Sequence, residues 1–522
     1  MVDELMVESA TNMNKQTVII PTAGIGSRTG EIGKNLNKSL LPYLDKPVLA
    51  HIIDQFPADT KFFIPVGYRA EQVRDFCTLA YGDRDIEFIP ISEWTGPHTG
   101  PGFTVKHLLP KIDGPFWYIP CDTYYNQDIV SQIRTENSYF VTKVNADISH
   151  EYTMFEVDND RIVSMKFKES VDSSWLALTG VMYIHDWQQF KDKLYNHPSP
   201  EIIWTIPLGS RIEKLDTWLD FGNLKIYTDA VQRSQKYNFT KPDEITYICN
   251  NRVVKWWKDS TVAQKKYIKS QTNPSVYPDH VDSSGQWIAY DYFTGTTLYE
   301  HNDPAVFEDL LRWLDQEVWV HQLQTDITQA TDNFYKIKTL GRINKFLEKY
   351  PNLPSAKTID GVAVREFSHY LNNIDWSLLT NTTLPGYMHG DLQFDNVIIS
   401  SDNKFKVIDW RHEFADMVEI GDIYYDLAKL MGGFIINYSD IKNNNFTVTV
   451  DNGNVSLSVP GIEHSDIYID RLKQFIINKG WSYTKVRTLI PIIFWNMSPL
   501  HTPPFDQLLW YLGIKLFEEL GL

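Results

Sequence analysis

Cysteine is scarce in this 522-residue chain: there are 3, namely Cys77, Cys121 and Cys249, and they are widely spaced. This spacing forms neither a disulfide framework nor a zinc motif, and it is typical of a protein in the reducing cytosol. Apolar runs are short, and none reaches the roughly 18 residues that a membrane-spanning helix needs. The first residues, MVDELMVESATNMNK, are acidic and polar. We therefore expect a cytoplasmic protein with no signal peptide and no membrane partner.

Positive charge is also in deficit, since 49 Lys and Arg stand against 66 Asp and Glu, for a formal net charge of -17 at pH 7. Proteins that bind nucleic acid need a basic face to neutralise phosphates, so we expect no nucleic-acid partner. No internal repeat or low-complexity tract is visible. The length is sufficient for two or three domains with sizeable cores, and it leaves the oligomeric state open.

The most informative stretch is MHGDLQFDNVIISSDNKFKVIDW, residues 388–410. It places His389 and Asp391 on a tight glycine turn, and Asn396 and Asp409 follow within two β-rich runs. In phosphoryl transfer, one Asp accepts the proton of the attacking hydroxyl, while an Asn and a second Asp hold Mg²⁺ against the nucleotide phosphates. We therefore predict that Asp391 is the catalytic base and that Asn396 and Asp409 are metal ligands. The alternative is a merely polar hairpin, although buried carboxylates without a cation would be costly.

This H-x-D-x-x-x-x-N plus I-D-W pattern resembles that of the aminoglycoside phosphotransferase and choline kinase families. The resemblance implies a protein-kinase-like fold, with ATP as the phosphoryl donor and Mg²⁺ as the cofactor. Gly421, Asp422 and Asp426 lie where these families have a G-D-x-x-x-D-L-A segment. The resemblance implies that these Asp residues mostly brace the catalytic loop.

A second set of motifs lies in TVIIPTAGIGSRTGEIGKNLNKSLLP, residues 17–42. An apolar strand runs into a glycine-rich loop that also holds an Arg, and a Lys precedes Leu-Leu-Pro. Such a loop lets backbone N–H groups approach a phosphate closely, and the two cations can neutralise a triphosphate. The predicted triphosphate site consists of Ala23, Gly24, Gly26, Arg28 and Lys38.

The loop departs from the dinucleotide-binding fingerprint, because Arg28 and Lys-Ser-Leu-Leu-Pro replace the third Gly and the later acidic residue. With these residues it resembles the sugar-phosphate and phosphocholine nucleotidyltransferases, whose signature is G-x-G-[ST]-R followed by K-x-L-[LV]-P. Thr22 stands where the usual Ala-Ala-Gly opening has Ala, a mild departure. The resemblance implies catalytic roles for Arg28 and Lys38.

Two Asp residues extend that resemblance. Asp122 ends an apolar strand, and Asp220 lies in the W-x-D-x-G position. One carboxylate from each of two strand ends suffices for Mg²⁺ when phosphate oxygens complete the coordination, so both are predicted metal ligands. Lys168 lies where family members often carry a lysine that contacts the acceptor phosphate, and Lys166 is the alternative.

A further glycine is a candidate for binding the base of the nucleotide. Gly100 opens a Gly-Pro-Gly sequence between two predicted strands, where a loop could cover the base. A plain surface turn is the alternative interpretation.

Strand-like and helical runs alternate over the first part of the chain, which predicts an α/β domain with a Rossmann-like mixed sheet. The predicted division is a disordered tail over residues 1–14, a nucleotidyltransferase domain over 15–240, and a two-lobed α+β protein-kinase-like domain over 241–522. The polar segment around residue 240 marks the boundary.

The predicted N-lobe of the kinase-like domain offers nucleotide-binding candidates. Lys255 lies on a strand and could reach the nucleotide phosphates, as the third-strand lysine of kinases does. The helix that follows contains several Lys but no Glu, so the usual Lys-Glu pair is not apparent. The run WIAYDYFTGT, residues 287–296, resembles the strand and hinge that bind adenine, with Asp291 and Phe293 as candidates.

The aromatic C-terminal region is a candidate for the acceptor site. Trp495, Trp510 and Tyr511 could offer ring faces to a cationic acceptor, and the alternative is core packing. The acidic neighbours Glu413 and Asp416 could hold an amine, or they could be solvated loop residues.

Together these motifs predict a bifunctional enzyme with Mg²⁺ in both domains. The C-terminal domain phosphorylates a small alcohol with ATP, and the N-terminal domain couples the phosphate product to a nucleotide with release of pyrophosphate. The motif set is most similar to cytidylyltransferases paired with choline kinase-like proteins in bacterial surface-polysaccharide pathways. This favours CTP and a choline- or ethanolamine-like acceptor. The alternatives are a sugar kinase fused to a sugar-1-phosphate nucleotidyltransferase using another NTP, and a nucleotidyltransferase with a regulatory, ligand-binding kinase-like half.

Overall fold

The computed structural model describes residues 15–26, 30–234, 243–321, 324–353, 355–459 and 461–522. The predicted tail over residues 1–14 and the predicted triphosphate ligand Arg28 lie outside the described residues. The chain divides into two compact units. The first runs up to Ser234 and includes Ile245–Lys258, and the second contains Glu244 and Asp259–Leu522.

A mixed β-sheet forms the centre of the first unit. The strands that precede residue 234 are β1 (Thr17–Ile19), β2 (Pro42–Tyr43), β3 (Lys46–Pro47), β4 (Lys61–Val66), β5 (Asp85–Pro90), β6 (Phe116–Tyr118), β7 (Thr123–Tyr125), β8 (Ser138–Thr142), β9 (Thr153–Asp158), β10 (Arg161–Phe167), β11 (Leu176–Ile184), β12 (Arg211–Lys214) and β13 (Trp218–Asp220). The main sheet has nine strands in the order β5-β4-β1-β6-β11-β8-β12-β10-β9. Strands β1, β4, β5 and β6 are parallel, whereas β11 runs antiparallel to β6 and β8. The predicted α/β fold with a mixed sheet is confirmed.

Helices accompany the strands of the first unit. Those of the described residues are Gly30–Asn35, Val48–Ile53, Ala70–Ala80, Pro101–Lys106, Trp187–Asn196 and Leu224–Ser234. Helix Ala70–Ala80 buries Val73, Phe76 and Cys77 on one face, as expected of an amphipathic helix that packs on a sheet.

Parallel pairing places two important loops together. Ile19 of β1 lies opposite Tyr118 of β6, and the Ile119 N–H donates to the Ile19 carbonyl at 3.0 Å. The glycine-rich loop and the segment that leads to Asp122 therefore leave the sheet at the same edge. In open α/β sheets this carboxyl edge is where ligands bind.

Most of a β-hairpin beyond the predicted domain boundary, from Ile245 onward, groups with the first unit. Its strands are β14 (Glu244–Cys249) and β15 (Arg252–Trp257). The ring of buried Tyr247 lies 5.7 Å from that of Phe76, and its hydroxyl donates to the Leu40 carbonyl. The Asn250 side chain donates to the Ala80 carbonyl at 2.8 Å. These contacts explain why this segment groups with the residues before 234, although the sequence pattern assigned it to the second domain.

The second unit is mainly helical and contains short β-hairpins. Its strands are β16 (Asp282–Ser284), β17 (Trp287–Asp291), β18 (Thr296–Thr297), β19 (Thr358–Ile359), β20 (Val362–Ala363), β21 (Pro385–Tyr387), β22 (Val397–Ile399), β23 (Phe405–Val407), β24 (Ile420–Asp422), β25 (Thr447–Asp451) and β26 (Asn454–Ser458). Strands β22 and β23 form an antiparallel hairpin, and β21 pairs with β24. This mixture of strands and helices is the predicted α+β class.

The helices of the second unit bury a large apolar core. They are Ser260–Thr272, Leu298–His301, Pro304–Trp313, Thr328–Thr331, Lys338–Lys349, Phe367–Asn373, Trp376–Asn381, Ile423–Ile435, Tyr438–Lys442, Ser465–Asn478, Tyr483–Met497 and Phe505–Glu519, with π-helical turns at Leu314–Val318 and Asp332–Ile337. Every residue from Ile423 to Phe434 is buried, although two of them, Asp426 and Lys429, are charged. A charge inside such a helix is costly unless it is paired, which directs attention to these two residues. Among the described residues, no helix is long and apolar enough to cross a membrane.

Candidate active sites

The structure brings three of the predicted residues of the first unit together. The Lys38 ammonium lies 2.8 Å from a carboxylate oxygen of Asp122. Asp220, the last residue of β13, is registered opposite Thr123 of β7, directly after Asp122. The Phe221 N–H donates to the Asp122 carbonyl at 2.8 Å, which holds the two Asp residues side by side.

The electrostatics of this group favour an ionised pair. Burial alone would lower the pKa of Lys38, but the Asp122 carboxylate, with contributions from Cys121 and Asp220, more than offsets it and raises the pKa. Lys38 therefore stays positively charged near neutral pH. A fixed ammonium between two carboxylates at a sheet edge is suited to a ligand that carries both phosphate and a divalent cation.

Asn37 holds this arrangement in place, and the motif search missed it. Its buried side chain donates to the carbonyls of Thr22 at 3.0 Å and Tyr68 at 2.8 Å. Its carbonyl oxygen accepts from the Ser39 N–H at 3.0 Å, which starts the short helix carrying Lys38. The side chain thus joins the glycine-rich loop to the Lys38 turn. A sequence signal existed, because Asn directly before a helical turn is a strong N-cap residue.

A cavity of about 510 Å³ lies beside this group, which is within the size range of small-molecule sites. It is lined by Glu151, Lys168, Asn223, Leu224 and Lys225. The Asn223 N–H donates to the Asp220 carbonyl at 3.1 Å, which connects the cavity to the two Asp residues.

Lys168 occupies a strained position at the rim of this cavity. Its φ is +53°, in the left-handed region that side chains other than glycine rarely adopt, and such strain clusters at functional sites. The alternative residue Lys166 lies on β10. The ammonium of each lysine lies near an aromatic ring, 5.1 Å from the Trp175 centroid for Lys166 and 5.0 Å from the Phe167 centroid for Lys168. The difference between them is that Lys168 lines the cavity.

The predicted glycines have different surroundings. A Cβ built on Gly24 would meet no atom of the described residues within 4 Å, and Gly26 has a φ of +67°. Ala23 is buried, and its carbonyl accepts from the Tyr68 N–H at 2.9 Å. A Cβ on Gly100 would come within 2.8 Å of the Pro200 carbonyl oxygen, so close backbone packing is sufficient reason for glycine there.

The donor atoms of the first site fit Mg²⁺. This cation prefers carboxylate and phosphate oxygens, and it binds proteins through one or two carboxylates plus the phosphates of the substrate. Asp122 and Asp220 supply such a pair. Across the described residues, no group of three or more His, Cys, Asp or Glu side chains has the arrangement of a protein-only metal site.

The loop that carries Asp391 in the second unit is rigidly constructed. His389 is buried, and its Nε2 atom is 2.7 Å from the Ile408 carbonyl oxygen. Its Nδ1 atom accepts a hydrogen bond from the Asp391 N–H at 3.2 Å. The neutral Nε2–H tautomer satisfies both contacts, and burial lowers the pKa of His389 to about 4, so the ring stays neutral.

Asp391 forms an ion pair that the sequence did not reveal. Its carboxylate lies 2.6 Å from the ammonium of Lys429, on the buried helix Ile423–Ile435. Burial would raise the pKa of Asp391, but Lys429, with contributions from His389 and Arg411, holds it below its usual range. The predicted base is therefore ionised and oriented.

The predicted metal ligands lie close to Asp391. The Asn396 amide nitrogen donates to the Asp391 carbonyl at 2.7 Å, so the amide oxygen is the atom able to bind a cation. Asp409 has a φ of +58°, again in the left-handed region. Burial, Asp391 and Asp409 raise the pKa of Asp395, which Lys442 partly opposes. One oxygen of Asp395 is buried without a hydrogen-bond partner among the described residues, and these oxygen donors together fit Mg²⁺.

Asp426 braces this loop. Its carboxylate accepts the N–H groups of His389 at 2.7 Å and Gly390 at 2.6 Å, and the Trp319 indole N–H at 3.1 Å. Burial raises the pKa of Asp426 to about 6.

Asp422 serves a similar structural purpose one turn earlier. It accepts the Leu384 N–H at 3.0 Å and the Tyr335 hydroxyl at 2.9 Å, and it forms a fully buried ion pair with Lys485 at 2.7 Å. The geometry agrees with the bracing interpretation of both Asp residues.

Helix Ser260–Thr272 contacts the catalytic loop through lysines. Lys269 donates to the carbonyls of His389 at 3.3 Å and Arg411 at 3.0 Å, and Lys266 donates to the Trp410 carbonyl. Burial lowers the pKa of Lys269 to about 7. The lysines noted in the sequence in place of a Glu thus bind the backbone just before Asp391 and just after Asp409.

Three nucleotide-binding predictions remain, namely Lys255, Asp291 and Phe293. Lys255 lies buried on β15, in the segment that groups with the first unit. Asp291 ends β17, and its carboxylate lies 2.7 Å from His280 Nδ1, while Phe293 follows and is half-buried. Their assignment to ATP stays a prediction.

The aromatic residues proposed for a cationic acceptor are core residues. Trp495 is fully buried and lies 5.6 Å from the stacked ring of Trp510, which also stacks on Phe346 at 4.5 Å. Tyr511 is fully buried as well. Glu413 forms an ion pair at 2.5 Å with Lys265. These rings therefore pack in the core, which is the alternative interpretation of the sequence.

Comparison with known proteins gives a separate result for each part of the chain. Residues 262–448 match the phosphotransferase enzyme family. "Bifunctional protein GlmU" of Methanococcus vannielii is 28% identical over 156 residues, which cover 30% of this chain and 36% of that protein. The chain therefore spans about a third of the length of this curated relative.

Solved structures resemble less than half of the chain. CTP:phosphocholine cytidylyltransferase from Streptococcus pneumoniae is 15% identical, with 42% of this chain and 100% of that chain covered and a TM-score of 0.37. HddC from Yersinia pseudotuberculosis is 17% identical, with 42% of this chain and 100% of HddC covered and a TM-score of 0.35. One chain thus combines a similarity to part of GlmU with a segment that matches the phosphotransferase enzyme family.

Proposed function

We propose that this protein is a bifunctional enzyme that phosphorylates a small alcohol with ATP and then joins the phosphate product to a nucleotide. The observation that carries the kinase half is the Asp391 loop. Lys429, 2.6 Å away, keeps the Asp391 carboxylate ionised, and Asp426 holds the loop in place. The oxygen ligands that Mg²⁺ requires lie on the same loop and its hairpin.

In the kinase reaction Asp391 accepts the proton of the acceptor hydroxyl. The hydroxyl oxygen forms a bond to the γ-phosphorus of ATP, the bond from that phosphorus to the bridging oxygen breaks, and ADP leaves. Bound Mg²⁺ neutralises phosphate charge, and Asn396 and Asp409 are the residues to hold it. The neutral His389 ring and the Asp426 carboxylate keep the Asp391 backbone in place during this transfer.

In the second reaction an oxygen of the acceptor phosphate attacks the α-phosphorus of an NTP. The bond to the bridging oxygen breaks, and pyrophosphate leaves. Lys38 supplies a fixed positive charge, and Asp122 and Asp220 are the residues to hold Mg²⁺. Lys168, at the rim of the 510 Å³ cavity, is suited to contact the acceptor phosphate.

The nucleotide and acceptor are proposed at different levels of detail. CTP remains our proposed nucleotide, supported by the resemblance of the glycine-rich loop to cytidylyltransferases. The same resemblance favours a choline- or ethanolamine-like acceptor and a use of the product in surface polysaccharides. The rings expected to hold an ammonium, Trp495 and Trp510, are buried under other aromatic rings. We therefore propose only a small alcohol at this point.

The test is separation of the two activities. Asp391→Asn is expected to abolish ATP-dependent phosphorylation and to leave pyrophosphate release from a phosphorylated acceptor intact, and Asp220→Asn is expected to do the converse. The assays are ADP release and pyrophosphate release with ATP, CTP, UTP, GTP and dTTP over a panel of alcohols and their phosphates. If either variant remained folded but lost both activities, the proposal that the two reactions occur at independent sites would be wrong. A kinase-like half that binds ATP but releases no ADP with any alcohol would favour the regulatory alternative.

A further inference from the structure

Three cations, Lys338, Arg342 and Arg411, are half-buried and are here called the basic cluster. The basic cluster adjoins the Asp391 loop, because the Arg411 N–H donates to the His389 carbonyl at 2.9 Å. From their arrangement we propose that the acceptor of the kinase reaction is an anion, namely an alcohol that already carries a phosphate or carboxylate group. The inference rests on the proposed function, because it names the substrate class of the same site.

One aromatic ring anchors two members of the basic cluster. The Lys338 ammonium lies 3.6 Å from the centroid of the Phe334 ring, and the Arg411 guanidinium carbon lies 4.8 Å from it. Phe334 is itself held by Phe414, 4.2 Å away, and by Tyr425, 5.0 Å away. The fold therefore holds two like charges on one ring.

Helix geometry adds the third member. Lys338 and Arg342 are four residues apart on helix Lys338–Lys349, so they share one face. A π-helical turn, Asp332–Ile337, leads directly into this helix, and such turns are frequent at functional sites.

The basic cluster is connected to the catalytic ion pair through one segment. The Arg342 guanidinium donates to the Asn496 carbonyl at 3.4 Å, and the Lys429 ammonium lies 3.9 Å from the sulfur of the next residue, Met497. Lys429 in turn lies 2.6 Å from Asp391. An acceptor whose hydroxyl is at Asp391 would therefore have its remaining groups within the field of these cations.

The cations repel one another with little compensation. Burial, together with the charges of Arg411, Arg342 and Lys429, lowers the pKa of Lys338, and Asp391 opposes this only in part. Burial and Arg411 likewise lower the pKa of Arg342. Charges of one sign held in a half-buried place are unfavourable until a counter-charge arrives, and a bound anion supplies it.

A cationic acceptor does not fit this place. An ammonium would be repelled by the basic cluster, and Glu413, the acidic residue next to Arg411 and His412, is already paired with Lys265 at 2.5 Å. The γ-phosphate of ATP shares the chemistry of an anionic acceptor, so the experiment must separate the two sources.

The first experiment measures anion binding by calorimetry. Inorganic phosphate is titrated into the full chain in the presence of Mg²⁺ and a non-hydrolysable ATP analogue, which fills the nucleotide site of the kinase half. Arg342→Met and Lys338→Met are expected to weaken the phosphate site by about tenfold or more, because a charge-assisted hydrogen bond is lost. Lys345→Met, which removes an exposed charge from the same helix, is the matched control and is expected to bind like the wild type. Phosphate binding that is unchanged in both cluster variants would overturn the proposal.

The second experiment compares matched acceptors kinetically. Glycerol and a hexose are each assayed beside their phosphate esters, together with ethanolamine and choline. We expect the esters to have the higher kcat/KM, and we expect Arg342→Met to reduce kcat/KM for the esters at least about tenfold more than for the parent alcohols. Arg342→Lys, which keeps the charge, should recover part of the loss.

The outcomes separate the two proposals. Preference for ethanolamine or choline, or a rise in the KM for ATP instead of that for the ester, would overturn the anionic acceptor and leave the kinase function standing. If no alcohol is phosphorylated but phosphate binding still depends on Arg342 and Lys338, the kinase function is wrong and the anion site stands.

Discussion

Asn37 provides the most demanding test of how the first site is built. In Asn37→Ala, the carbonyls of Thr22 and Tyr68 lose a donor and the Ser39 N–H loses its acceptor, all in a buried place. Each buried polar group left unpaired costs about 1–3 kcal/mol, and relaxation recovers part of this. We therefore expect the first unit to lose about 2–4 kcal/mol of unfolding free energy. For a unit of this size, that is a fall of about 5–15 °C in Tm.

The functional effect should exceed the effect on stability. The same side chain joins the glycine-rich loop to the turn that carries Lys38, so its loss frees both from their common anchor. Below the Tm of the variant, pyrophosphate release should therefore still be reduced at least about tenfold, because small misplacements of catalytic groups are costly. Calorimetry monitors Tm, and the thermal transition of the second unit is the internal control.

A near-isosteric variant separates the two contacts of this side chain. Asn37→Asp retains an acceptor for the Ser39 N–H but directs a carboxylate oxygen at the carbonyls of Thr22 and Tyr68. It should be as damaging as Asn37→Ala if the donated hydrogen bonds matter most. An Asn37→Ala protein within about 0.5 kcal/mol of the wild type, with equal pyrophosphate release, would refute the reasoning, since such values are typical of neutral surface changes.

Three further outcomes are expected. Lys38→Met should reduce kcat/KM for the NTP at least about tenfold with little change in ADP release, and equal turnover would reject its proposed role. Lys485→Met leaves the Asp422 carboxylate buried without its cation, so chemical unfolding of the second unit should show a loss of about 3–5 kcal/mol, unless the pair contributes nothing. Lys429→Met should move the acid limb of the kinase pH–rate profile to higher pH: Lys429 now holds the pKa of Asp391 down, so without it the base becomes protonated at a higher pH. An acid limb that does not move would show that Asp391 is not the titrating base.

The fold class was accessible from the sequence because it depends on local patterns. Strand and helix runs alternate before residue 234, and the sheet observed there follows them. The hairpin Glu244–Trp257 groups mostly with the first unit through partners that are distant in sequence, and the boundary near residue 240 stays a prediction. The contact of Tyr247 with Phe76, which groups the hairpin with the first unit, leaves no periodic signal.

The candidate site residues were accessible where chemistry requires a particular residue at a particular spacing. Asp391, Asn396 and Asp409 fall within one motif, and the structure places them around one loop. Lys429, Lys338 and Arg342 were missed because they come from other helices, and Arg411 was missed because it lies just after the motif and is not part of it. For Trp495 and Trp510 the sequence left a ligand face and core packing open, because an aromatic composition does not distinguish the two, and both rings are buried in the core.

Both sites pair a working carboxylate with a buried or half-buried lysine, at 2.8 Å for Asp122 and 2.6 Å for Asp391. Lys429 holds the pKa of Asp391 below its usual range against burial, and Asp122 raises the pKa of Lys38 against burial. In both pairs the opposite charges stabilise each other before a phosphate and its cation are bound. Once they bind, the lysine can exchange a carboxylate for a phosphate oxygen without leaving a charge unpaired. The positive charge therefore has to be built into each site, even though the chain as a whole carries a net charge of -17.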